Sequence, residues 1–149
     1  MPTIQFPTVF SELLRLLNDH EVKYLVVGGY AVTYHGYPRT TGDLDLWIEE
    51  TEENAGHVVE ALCAFGFDVP ELDAALFLDE DRIVRMGHPP LRVEIFPNAS
   101  GVDFGPCYDQ RIVDELGGVE AAIIGLECLK KNKRASGRHK DLDDLENLP

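Results

Sequence analysis

Residues 26–48 read VVGGYAVTYHGYPRTTGDLDLWI, and this stretch decides the fold. Residues 23–28, KYLVVG, form an apolar run bounded by glycine, which reads as a buried strand. The strand ends at Gly28-Gly29. YAVTYHG then predicts a short helix, stopped by Gly36 and Pro38. Residues 43–49, DLDLWIE, alternate and predict a second strand.

Two features of this stretch carry chemistry. A glycine pair between a strand and a helix lets backbone N–H groups face outward, where an anion is favoured. A strand-to-helix turn also needs glycine for its own geometry, so this reading stays open. There is no GxGxxG and no GxxxxGK[ST], which argues against dinucleotide folds and P-loops. On a strand, residues two apart share a face, so Asp43 and Asp45 point one way while Leu44, Leu46 and Ile48 point the other. Adjacent carboxylates repel unless a cation joins them, and hard divalent ions prefer oxygen ligands. The alternative is a polar strand edge facing solvent. A third acid, Glu94, sits in the otherwise apolar run LRVEIF at 91–96, where it either faces solvent or joins a site.

Working outward, Phe10, Leu13, Leu14 and Leu17 give residues 8–20 a helical face, with Thr8 as cap. Residues 52–65 form a second helix, capped by Thr51, with Glu52 and Glu53 at its positive end. Its stripe is Ala55, Val58, Val59, Leu62 and Phe65, and Gly66 ends it. RIVRM at 82–86 and LRVEIF at 91–96, joined through Gly87-His88-Pro89-Pro90, predict a hairpin. VEAAII at 119–124 is a further strand. Helices over about 126–135 and 139–148 finish the chain, with Leu142, Leu145 and Leu148 as the core-facing edge of the last. A hairpin inside a β–α alternation predicts a single α+β domain over 1–149, a mixed sheet flanked by helices.

The bulk properties narrow the function. With 149 residues, 44% hydrophobic and 27% charged, the chain is globular. No apolar run approaches the roughly 20 residues that span a bilayer, and no leader pattern opens the chain, so no membrane partner is expected. Cys63, Cys107 and Cys128 show neither disulfide nor metal spacing, which points to the reducing cytoplasm. A net charge of −14 argues against a broad nucleic-acid surface. Yet six of the 13 basic residues fall together: Lys130, Lys131, Lys133, Arg134, Arg138 and Lys140. Such a cluster serves one anionic ligand or forms a solvated helix face.

Val27-Gly28-Gly29 followed by Asp43-Leu44-Asp45-Leu46 resembles the signature of the nucleotidyltransferase superfamily, the fold shared with DNA polymerase β. The GGxAxxxHGxxRxTxDxDL pattern is similar to small prokaryotic nucleotidyltransferase-like domains, among them AbiEii-type abortive-infection toxins. The tail LKKNKRASGRHKDLDDLENL looks like theirs as well. The resemblance implies roles. Gly28 and Gly29 would cradle a nucleoside triphosphate. Asp43, Asp45 and Glu94 would be the catalytic carboxylates and would hold Mg²⁺, or Mn²⁺. Lys133, with Arg138 or Lys140, would contact phosphates, Lys133 pointing at the glycine loop while Lys130 and Lys131 stay solvated. The implied activity moves a nucleoside monophosphate from an NTP to the hydroxyl of a tRNA end, a protein or a small molecule. The implied alternative is a non-catalytic module of the same fold, a toxin–antitoxin component or a nucleotide-sensing partner, with an antitoxin or a second copy as its own partner. His35 and Arg39 match motif positions without an assigned role. Gly29 stands where a serine is common, and Glu94 where an aspartate is.

Overall fold

The computed structural model describes residues 5–39 and 41–149. The elements, in chain order, are α1 (Thr8–Asp19), β1 (Tyr24–Val27), α2 (Gly28–Tyr34), β2 (Leu44–Ile48), α3 (Glu52–Phe65), a 3-10 turn (Ala74–Phe77), β3 (Val84–Met86), β4 (Val93–Phe96), α4 (Phe104–Asp109), β5 (Ile112–Leu116), β6 (Val119–Ile123), α5 (Leu126–Ser136) and α6 (His139–Asn147). The six strands make one mixed sheet in the order β3-β4-β2-β1-β6-β5. β1 runs parallel to β6 and β2 parallel to β4; the other neighbours are antiparallel. This is the expected α+β architecture, with helices flanking a mixed sheet.

The strands follow from their residues. β1, YLVV, is central and wholly buried, which is why it reads as an unbroken apolar run. β2 alternates at first: Leu44 and Leu46 are buried, while Asp45 between them is half-buried. Antiparallel pairing sets Val27 opposite Asp45, and parallel pairing sets Asp45 opposite Glu94. The central place of β2 therefore brings the end of β1, the acids of β2 and the acid of β4 to one end of the sheet.

Helices α1 and α3 pack against each other and bury Phe10, Leu13, Leu14 and Leu17 from one, Ala55, Val58 and Leu62 from the other. Thr51 caps α3, its hydroxyl accepting from the Asn54 amide at 3.1 Å, and Gly66 ends it at φ 112°. Buried Asn54 fastens this helix to the sheet: its side chain accepts from the Lys23 amide and donates to the carbonyls of Lys23 and Glu49. The expected cap of α1 is displaced by one residue. Thr8 lies inside the first turn, and Pro7 holds the cap position without a side-chain bond. Proline suits a helix start because its missing N–H is not needed there.

Three elements go beyond the sequence reading: the 3-10 turn, α4 and β5. β5 pairs with β6 across Gly117-Gly118, both at positive φ, 59° and 81°. The last helix is the main correction. Leu142 is exposed and Leu145 half-buried, so of the expected leucine edge only Leu148, just past the helix, is buried. The inward face of α6 carries Asp141 and Asp144 instead, both almost inaccessible. Each has a buried cationic partner, without which carboxylates could not lie there. No helix among the described residues is long and apolar enough to cross a membrane.

Candidate active site

A cleft of about 600 Å³ opens at the end of β1 and β2. Gly28, Asp43, Asp45 and Glu94 line it, together with Lys133, Arg138 and Lys140 from the C-terminal helices. Arg85 and Arg92 line the hairpin side, and Phe96, Asn98, Ser100 and Asn132 the far end. The carboxylates expected from the sequence thus share one cleft. Gly29 is buried behind it.

The glycines have packing reasons to be glycine. Gly28 stands at φ +68°, and a Cβ there would lie 2.0 Å from Oδ2 of Asp45. A side chain at Gly29 would strike Thr41, 2.3 Å from its hydroxyl oxygen. The pair therefore lets the β2 acid and the loop before β2 press close against the start of α2.

The three carboxylates are in different states. Asp43 accepts from Arg92 at 2.8 Å, and Glu94 from Arg85 at 3.2 Å, with Arg92 at 3.6 Å from the same Glu94 oxygen. No hydrogen bond or ion pair within reach holds Asp45 among the described residues. Burial, and then the charges of Glu94 and Asp43, push its carboxyl up from 3.8 to about 7, while Lys140 and Lys133 pull it down. Among the described residues no group of three His, Cys, Asp or Glu side chains is gathered tightly enough to hold a metal ion. The donor set itself suits one: three carboxylates, oxygen only, the chemistry of Mg²⁺ or Mn²⁺. An ion drawn to them meets a carboxyl in need of a counter-charge and two others already engaged by arginine.

The basic cluster divides sharply. Lys133 is 4% exposed, and its ammonium sits 3.2 Å from Asp141 and 2.9 Å from Asp144. It lines the cleft but spends its charge on α6. Arg138 grips Asp141 at 2.8 Å. Arg39, the motif residue without a role, pairs with Asp144: its Nη2 donates to Oδ2 at 3.1 Å, and its Nε lies at ion-pair distance, 2.9 Å, from Oδ1. These five residues bind the loop after α2 to both C-terminal helices. Lys140 is exposed, lines the cleft and forms no ion pair among the described residues. Lys131 is solvated as expected, whereas half-buried Lys130 donates to the carbonyl of Pro149. His35 is structural, its Nε2 lying 2.7 Å from the Ile124 carbonyl. The sequence reading did not include Arg85, Arg92, Asp141 or Asp144. For the arginines a signal existed, because each flanks or faces Glu94 across the hairpin.

The charge of the site differs from that of the chain. Arg39, Arg85, Arg92, Lys133, Arg138 and Lys140 face Asp43, Asp45, Glu94, Asp141 and Asp144, leaving one positive charge. The other seven basic and 22 acidic residues carry the whole negative charge of the protein.

No known family profile matches the chain, and no curated protein is similar enough in sequence to count as a relative. Solved structures do match in shape. A candidate nucleotidyltransferase of Thermotoga maritima, TM1012, superposes with a TM-score of 0.66 at 17% identity, over 93% of this chain and 89% of that one. The fold is that of the nucleotidyltransferases. The antibiotic-resistance factor ANT(2'')-Ia also superposes, with a TM-score of 0.58 at 16% identity, over 93% of this chain and 80% of that one. At such identities the likeness speaks for the fold, and the site must be argued from its own residues.

Proposed function

We propose that this nucleotidyltransferase-fold chain is a divalent-metal-dependent nucleotidyltransferase acting on a small-molecule acceptor. The observation that carries the reading is the meeting of Asp43, Asp45 and Glu94 in one cleft that Gly28 and Lys140 also line. Asp43, Asp45 and Glu94 would hold Mg²⁺, which supplies neutralisation of the triphosphate charge. Lys140 binds phosphate oxygens, and Lys133 adds its field from behind. The acceptor oxygen bonds to the α-phosphorus, the bond from that phosphorus to the bridging oxygen breaks, and pyrophosphate leaves with the electron pair. The hydroxyl proton passes to Glu94. A small acceptor is favoured over tRNA because the residues outside the site carry a strongly negative net charge, which repels a long polyanion. Among the fold neighbours, ANT(2'')-Ia is an antibiotic-resistance factor, which agrees with acceptors of that size.

The test is incubation of the chain with each labelled NTP, Mg²⁺ and panels of hydroxylated small molecules, tRNA and protein. Pyrophosphate release with transfer of label to a small molecule is expected, abolished by EDTA and by Asp45→Asn. Label on tRNA alone would overturn the acceptor assignment. The second reading, a non-catalytic module of the AbiEii-like kind, draws on the arginine-engaged state of Asp43 and Glu94. It stands if NTP binds and no acceptor takes up label.

A further inference from the structure

The carboxylates of the cleft already have a cation. Both Nε and Nη2 of Arg92 reach the same oxygen of Asp43, at 3.3 and 2.8 Å, and Nη2 lies 3.6 Å from Oε1 of Glu94. The guanidinium therefore spans an acid of the β2 side and an acid of β4. The backbone fixes this arrangement, since the carbonyl of Arg92 accepts from the Leu44 amide at 2.9 Å, which locks the start of β4 beside the start of β2. Arg85 differs. It touches Glu94 alone and is more exposed, 55% against 33% for Arg92.

A guanidinium and a divalent ion compete for the same carboxylate oxygens. Both favour the ionised acids, but the lone pairs of Asp43 Oδ2 cannot serve the two at once. We infer that Arg92 is an internal counter-cation that sets the affinity of the Asp43–Asp45–Glu94 site for divalent metal, and that metal binding displaces it into the cleft. The inference rests on the metal-site reading above. It adds a consequence that the carboxylates alone do not have. The displaced guanidinium, on a side chain already lining the cleft, becomes a fork for the oxygens of an anionic ligand. Metal alone then binds weakly, because it must break an ion pair without replacement. Metal together with a polyphosphate binds well, because the arginine gains a new partner. Arg92 is thus a positioning residue that couples the two ligands.

The experiment is a titration of Mn²⁺ alone, followed by electron paramagnetic resonance, into the full chain as wild type, Arg92→Gln, Arg92→Lys and Arg85→Gln. Circular dichroism checks that each is folded. Arg92→Gln is expected to bind Mn²⁺ about threefold to fivefold more tightly than wild type, the free energy of one half-exposed ion pair at the upper end of its usual range read as an equilibrium constant. Arg92→Lys keeps the charge without the fork and is expected between the two. Arg85→Gln should change the affinity by less than about twofold. Repeating the titration with ATP present should show the gain from nucleotide reduced in Arg92→Gln. Equal or weaker Mn²⁺ binding by Arg92→Gln overturns the role of Arg92 and leaves the metal site standing if wild type binds. Absence of Mn²⁺ binding in every variant overturns both.

Discussion

Asp45 offers the most quantitative test of the site. Its carboxyl stands at about 7 instead of 3.8, because it is buried and because Glu94 and Asp43 are negative beside it. A carboxyl raised in the folded chain costs stability once it must ionise. Below about 4 both states are protonated and the cost is absent. Between about 4 and 7 the unfolded chain loses the proton while the folded one keeps it, so stability falls as pH rises. Above about 7 the full cost stands. A rise of this size corresponds to about 4 kcal/mol, at 1.36 kcal/mol for each tenfold change in proton affinity. Asp45→Asn keeps the volume and removes the charge. In EDTA it is expected to be more stable than wild type by about 4 kcal/mol at pH 8, and by about half a kcal/mol at pH 4. For a chain of this length the gap at pH 8 amounts to roughly 10 °C in Tm. Urea or thermal unfolding followed by circular dichroism from pH 4 to pH 8 measures it. Parallel curves for the two proteins across that range, or a wild type that gains stability as pH rises, would refute the electrostatic account of the cleft.

Other outcomes follow from the same geometry. Gly28→Ala should lower stability by about 1–3 kcal/mol in thermal unfolding, because alanine is strained at φ +68° and its Cβ meets Asp45 at 2.0 Å. Lys133→Ala strips Asp141 and Asp144 of their shared cation and should cost about 3–5 kcal/mol in urea unfolding. Lys140→Ala should stay within about 0.5 kcal/mol of wild type in stability and still weaken NTP binding by calorimetry; unchanged binding would remove it from the site. Thr51→Ala, which deletes the cap of α3, should cost about 1 kcal/mol in the same unfolding assay.

The local part of this molecule is written in contiguous residues. Gly28-Gly29 and Asp43-Leu44-Asp45 declare a strand, a turn and a second strand by periodicity, and the structure sets these side by side. For Glu94 the sequence leaves solvent and site equally open, because strand alternation fixes a face without naming its neighbour. Only the parallel pairing of β2 with β4 decides it. The tail misled for a different reason. An apolar-periodicity rule turns the leucines of LDDLENL inward, but buried Lys133 and half-buried Arg39 make aspartate the better fit to that face. Those partners lie on other elements, so no window along the helix contains them. Of the β5–β6 hairpin only VEAAI reads as a strand: IVDEL before it carries two acids and no clean alternation, so the turn at Gly117-Gly118, both at positive φ, has no evident partner strand until the pairing is seen.

The near-neutral cleft within a protein of charge −14 has a kinetic consequence. At a distance an approaching polyphosphate meets the field of the whole body, which repels it. Only within the last several ångströms do Arg92 and Lys140 outweigh that field. At low ionic strength the encounter should therefore be slow. Raising salt toward 0.1 M, where the screening length is about 10 Å, should speed it by hiding the distant acids before it hides the nearby cations. Association would quicken with salt, the reverse of the usual steering of an anion into a basic groove.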